Sequence, residues 1–185
     1  MVGCQFPAHA GNWEQLRVPG NLKMANVKKK FRQSDARKFI RQISNYLEKE
    51  HGLPPHHEYP LGKDRWCSKS DIYVESKGRK LFIEVEGNQP HPDTNVTKYW
   101  YWIERTKKTE KVILIHVFGN KFYNNNYRSR TVLCSFIAQK IRKAGYNFFY
   151  YPVPVNKHHV WSKSWSILKL LELTKKQIKD ILLNH

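Results

Sequence analysis

Negative charge is scarce in this chain. Asp and Glu number 15 against 33 Lys and Arg, a formal net charge of +18 over 185 residues. A balance this lopsided repels itself unless a polyanion is the usual partner. Cysteine is scarce too. Cys4, Cys67 and Cys134 are odd in number and far apart, which argues against a disulfide framework and suits a reducing compartment. They form no CxxC pair, and His56, His57, His158 and His159 lack finger-like spacing, so no zinc site is expected. No apolar run approaches the ~18 residues of a membrane span, and no membrane partner is expected. The opening stretch MVGCQFPAHAGNWEQL lacks the basic and apolar regions of a secretion signal. The expected location is therefore cytoplasmic, at the nucleoid if the source is bacterial, or in a phage-infected cell. There is no glycine-rich phosphate loop, no Ser/His/Asp or Cys/His arrangement, no internal repeat and no low-complexity segment.

Basic and aromatic residues are abundant instead. The cations are spread along the chain, in Val27–Arg32, Lys77–Lys80 and Lys175–Lys179, and they interleave with aromatics that make up 14% of residues. A membrane-surface protein would concentrate them on one amphipathic helix, whereas a distributed charge suits a surface that follows phosphates. The plain alternative is a solvated lysine surface with no such partner. Nucleic acid is the expected one.

The hydrophobic fraction of 40% supports one domain with a sizeable core. Residues 1–33 lack periodicity and read as an arm or cap. Ser34 is the expected N-cap of a helix carrying Ala36, Phe39, Ile40, Ile43 and Leu47 at helical spacing, ended by Gly52 and Pro54. A short strand is expected at Tyr59–Leu61. Clearer strands follow at Asp71–Glu75 and Lys80–Glu86, joined by a Ser76–Arg79 hairpin signal. A helix from Asp93 or Thr94 to about Arg105 follows, then a doubly covered strand at Lys111–Phe118. After an Asn-rich loop come a helix at 131–144 and a strand at 146–151. The stretch 152–185 reads as a basic, aromatic helical extension of the same domain, with capping-box spacing at Thr174–Gln177. The order predicts a mixed α/β domain.

LFIEVEG, Leu81–Gly87, sets Glu84 and Glu86 in a strand that otherwise reads as buried, although carboxylates are rarely buried alone. A two-residue turn at Lys77–Gly78 pairs Glu75 with Lys80, Tyr73 with Phe82, and Asp71 with Glu84; a four-residue loop from Ser76 to Arg79 gives the same pairing. Opposed residues lie ~5 Å apart and same-face neighbours ~7 Å apart, so Asp71, Glu84 and Glu86 should share one side. Like charges so placed need a compensating cation or a retained proton. Mg²⁺, with Mn²⁺ able to substitute, prefers a few carboxylates, its own waters and phosphate oxygens. Such an ion could lower the pKa of an attacking water beside a phosphodiester. The plain alternative is surface carboxylates paired with nearby lysines. Glu50 continues the apolar stripe of Ile43 and Leu47 and is a fourth candidate, unless it is a frayed helix end.

Asp71, twelve intervening residues and then Glu84-Val85-Glu86 resemble the active-site pattern of the PD-(D/E)XK nuclease superfamily. The order of elements over residues 34–151 is similar to that superfamily's restriction-endonuclease-like αβββαβ core. The resemblance implies a mixed central sheet flanked by helices, with Asp71, Glu84 and the Val85 carbonyl as Mg²⁺ ligands. Ser70 stands where the name-giving proline often is, and Glu86 where the usual lysine would be. Such an ExE variant resembles that of some restriction endonucleases. Glu86 is then a general base or second-metal ligand, or a lysine from another element has taken the missing role.

Lys98, in NVTKYWYWIE, is the candidate for that migrated lysine, and Asn95 with Tyr99 loosely resembles the Gln-x-x-x-Tyr helix motif of some branches. Helical spacing makes Val96, Tyr99, Trp100 and Ile103 the packing face, which points Lys98 away from it. The aromatics read as core rather than as stacking platforms. Lys77, Arg79, Lys121, Arg128 and Arg130 are the expected DNA contacts, with His91, His158, His159, Trp161 and Trp165 weaker candidates. The expectation is a Mg²⁺-dependent DNA endonuclease in restriction, defence, repair or recombination, acting on double-stranded DNA rather than RNA. A homodimer would suit double-strand cutting. The rival is a nucleic-acid-binding protein on the same scaffold that has lost catalysis.

Overall fold

In the computed structural model, the residues described are 33–62, 68–87, 89–107, 110–119, 122, 128–154 and 166–184. Helix α1 (Gln33–His51) turns Ala36, Phe39, Ile43 and Leu47 inward at helical spacing and leaves Arg37, Lys38 and Arg41 in solvent. Gly52, at φ 63, ends it, and its N–H donates to the Glu48 carbonyl. The chain then enters the sheet through β1 (His56–Pro60), β2 (Lys69–Ser76) and β3 (Arg79–Glu86).

The turn between β2 and β3 is the two-residue form. Lys77 at φ 51 and Gly78 at φ 71 both sit in the left-handed region, the backbone of a turn that matches strand twist. The ladder above it runs in the expected register from Ser76↔Arg79 through Glu75↔Lys80 and Tyr73↔Phe82 to Ile72↔Ile83. After α2 (Asp93–Thr106), β4 (Lys111–Phe118) pairs parallel with β3. Then α3 (Arg128–Lys143) leads to β5 (Phe148–Val153), parallel to β4. The five strands lie in sequence order, with β1–β2 and β2–β3 antiparallel and the rest parallel. The result is an α/β domain with a mixed open sheet.

The two faces of the sheet are covered by different helices. Leu81, Ile83 and Val85 of β3 join Ile113 and Ile115 of β4 beneath α1 and α4 (Ile167–Asn184). Phe82 and Leu114 pack on the other face with Val96, Tyr99 and Ile103 of α2 and Cys134 and Ile141 of α3. Each fully buried Ile or Phe contributes roughly 1.5–3 kcal/mol, so β3 and β4, apolar on both faces, anchor the domain. Helix α4 belongs to this core through Leu170, Leu171, Ile178 and Ile181. Thr174 lies inside α4, fully buried, its hydroxyl donating to the Leu170 carbonyl; the capping-box reading there is corrected, because the apolar stripe runs through it. Among the described residues, no helix is long and apolar enough to cross a membrane.

Candidate active site

Strand parity decides where the carboxylates go. Glu84 and Glu86 share the phase of Phe82, so both point to the α2 and α3 side, and both are buried. Asp71, half-buried, lies one residue beyond the last β2–β3 ladder pair, Ile72↔Ile83. There its side chain substitutes for the ladder: the Val85 N–H donates to Asp71 Oδ2 at 2.8 Å. Nearby, Lys98 Nζ donates to the Lys69 carbonyl at 2.6 Å. Side chains thus satisfy backbone groups at the end of the sheet where Asp71 and Glu84 meet.

Helix α2 supplies the partners of both glutamates. Lys98 Nζ lies 3.0 Å from Glu84 Oε1, with Lys98 side-chain exposure of only 11%, and the Tyr99 hydroxyl donates to the same oxygen. The Asn95 amide donates to Glu86 Oε1. From β4, His116 Nε2 reaches that same Glu86 oxygen at 2.7 Å, and His116 Nδ1 lies 3.0 Å from the Tyr150 hydroxyl of β5. The environments push the two glutamates apart. Burial lifts the Glu84 carboxyl to about 8, with Lys98 pulling against it. Burial also opposes charge on Glu86, but the hydrogen bond and charge of His116, with Asn95 and Lys98, outweigh it and hold that carboxyl below its usual range. Burial raises Asp71 as well, against the Val85 N–H and Lys98.

The donor set suits a hard divalent cation: carboxylate oxygens from adjacent strands, of which the buried Glu86 Oε2 has no hydrogen-bond partner. Each carboxylate is also committed to a protein donor, and among the described residues no three His, Cys, Asp or Glu side chains are gathered into a metal-holding group.

Of the sequence candidates, Asp71, Glu84, Glu86 and Lys98 are brought to one end of the sheet. Lys98 was expected to point away from the packing face, yet its Nζ reaches Glu84, because a four-carbon stem carries the ammonium back along the helix. Trp102, rather than Trp100, completes the buried face of α2. Glu50 is not part of the cluster. It is exposed at the end of α1, on the opposite face of the sheet, where its charge is felt by Tyr46.

Among the expected DNA contacts, Lys77 and Arg79 lie at the hairpin end of β3, roughly 23 Å of strand from Glu86. Arg79 is only 7% exposed, and its Nε donates to the Ser76 carbonyl at 3.3 Å, so it is packed rather than presented to a ligand. Arg130 is an inter-helix tie, 3.4 Å from Asp93 at the start of α2. Arg128 opens α3, and His91 is exposed before α2. Lys121, His158, His159, Trp161 and Trp165 lie outside the described residues.

His116 was not singled out from sequence. Its only signal in the sequence is one imidazole in the apolar run KVILIHVF; the β3–β4 register then sets it beside Glu84. Comparison with protein-family models, curated proteins and solved structures gives no match.

Proposed function

We propose that the chain is a divalent-metal-dependent DNA endonuclease that hydrolyses phosphodiesters with a water nucleophile. The observation that carries this reading is the meeting of Asp71, Glu84 and Lys98 at one sheet end of a strongly cationic protein, with Lys98 Nζ 3.0 Å from Glu84 Oε1. Its support in the fold is the element order α1, β1–β3, α2, β4, which follows the αβββαβ order of the PD-(D/E)XK superfamily that the Asp71…Glu84-Val85-Glu86 pattern resembles.

Asp71 and Glu84, with the Val85 carbonyl, would hold Mg²⁺, which when bound supplies an acidified water and a counter-charge for phosphate oxygens. Asp71 and Glu84 present acceptor oxygens on neighbouring strands. Lys98 would take the role of the strand lysine that the sequence lacks: it offsets Glu84 and would bring a proton donor to the same carboxylate. Binding along the backbone comes from the distributed cations and is expected to weaken steeply with salt.

A second reading is favoured by one observation. The carboxylates are closed onto protein donors, and no three candidate ligands are gathered among the described residues. That arrangement suits a nucleic-acid-binding protein whose former metal site has become an internal ion-pair network. Gel shift and plasmid cleavage, run side by side with Mg²⁺, Mn²⁺ and EDTA on wild type and Asp71→Ala, separate the two. Binding with metal-dependent cutting that Asp71→Ala abolishes supports the endonuclease. Binding without cutting under any divalent ion supports the scaffold.

A further inference from the structure

Glu86 is fully buried, which bars it from touching a phosphodiester in this arrangement, yet its Oε1 gathers polar partners from two other elements. Oε1 accepts from the Asn95 amide and meets His116 Nε2 at 2.7 Å. The other ring nitrogen of His116 faces the Tyr150 hydroxyl at 3.0 Å. Strands β3, β4 and β5 and the first turn of α2 are thereby joined through one carboxylate.

The spacing of this contact matches its neighbour. Glu84 and Glu86 are two residues apart on one strand face, ~7 Å. Asn95 and Tyr99 are four apart on one helix face, a rise of ~6 Å. Asn95 meets Glu86 and Tyr99 meets Glu84, so α2 runs back along β3 in register. Lys98, beside Tyr99, is delivered to Glu84 by that same seating. At the start of α2, Thr94 donates to the local His91 carbonyl, Pro92 gives no side-chain cap, and Asp93 is tied to α3 through Arg130 at 3.4 Å, so Asn95 supplies the tie to the sheet.

We propose that Glu86 and His116 form a positioning clamp: through Asn95 they seat the first turns of α2 on the sheet, and so set Lys98 and Tyr99 against Glu84. Glu86 is then a positioning residue rather than the general base. The importance of Lys98's placement rests on the endonuclease reading; the clamp itself does not.

The test compares wild type with Glu86→Gln, Glu86→Leu and His116→Leu by amide hydrogen exchange and by plasmid cleavage in Mg²⁺. Glutamine keeps an acceptor for Asn95 and His116, whereas leucine keeps none. Exchange at Val96–Tyr99 should rise about tenfold or more in both leucine variants, with Ile83 and Leu114 unchanged, and stay within about threefold of wild type in Glu86→Gln. Cleavage should follow, with kcat falling about 100-fold in the leucine variants at little-changed KM, and within about tenfold of wild type in Glu86→Gln.

Unchanged exchange at α2 in the leucine variants overturns the clamp. Loss of cleavage in Glu86→Gln with undisturbed α2 exchange makes Glu86 the base and also overturns it. Should Glu86→Leu not fold, Asn95→Ala must give the same loosening of α2, since it leaves the sheet intact; no loosening there overturns the clamp as well. Absence of cleavage by wild type counts against the endonuclease reading, and the exchange data then decide the clamp alone.

Discussion

Lys98 Nζ stands 3.0 Å from Glu84 Oε1 between α2 and β3, both side chains largely withdrawn from water. Breaking such a pair from one side leaves a buried carboxylate without its cation. Lys98→Met should therefore lower cleavage by about 100-fold or more. The loss of stability should stay near ~1–3 kcal/mol, because Glu84 can take up a proton instead. Urea unfolding and a single-turnover cleavage assay measure the two effects separately.

The raised carboxyl of Glu84 makes a pH statement about stability. Its folded pKa of about 8 lies above the ordinary 4.5, so between these values the native state binds more proton than the unfolded state. Stability from this residue therefore falls as pH rises through that window. Glu86, held below its usual range, works the other way: its contribution is present above the ordinary carboxylate pKa and is lost as pH falls. Thermal melts from pH 5 to 8.5 should show wild type losing Tm relative to Glu84→Gln as pH rises. Parallel curves would contradict this.

Tyr99→Phe removes a donor from Glu84 and the hydroxyl's contact with Ser70, and keeps the fully buried ring, which packs against Phe82. The expected cost is about 1–3 kcal/mol in denaturant unfolding. Glu84 should titrate still higher, because the lost hydrogen bond favoured the charged form.

Glu50→Ala should leave cleavage unchanged and stability within about 0.5 kcal/mol, as expected of an exposed helix-end residue. Lys77→Ala should leave DNA affinity unchanged as well, since it sits at the far end of the hairpin. Arg79→Ala should lower Tm without weakening DNA binding, because its guanidinium is packed at the turn. Melting curves and gel shifts decide all three.

Much of this arrangement was legible in the residues. Gly78 between two alternating strands implied the hairpin, and the ladder keeps the expected register as far as Ile72↔Ile83. Parity then put Glu84 and Glu86 on one face. What the residues could not give is which helix covers which face: α1 and α2 are both amphipathic, and nothing local assigns one to the leucine side of β3 and the other to its phenylalanine side. The Glu50 expectation failed for that reason. Lys98 was a site candidate from sequence, but the helical wheel pointed it away from the packing face, because a wheel fixes Cβ, not the end of a long stem. His116 was hidden because its partners, Glu86 and Tyr150, come from other strands and are adjacent only after folding. Asp71 showed its charge but not its contact with the Val85 N–H, which depends on where the ladder stops.

In the proposed endonuclease, Asp71 and Glu84, assisted by Lys98, would cut DNA with a divalent ion. The most direct test is single-turnover cleavage of supercoiled plasmid by wild type and Asp71→Asn, each in Mg²⁺ and in EDTA. The expected result is nicked and linear product from wild type in Mg²⁺ alone, with Asp71→Asn slower by about 100-fold or more at unchanged DNA affinity. Equal rates for the two proteins, or cutting that persists in EDTA, would contradict it.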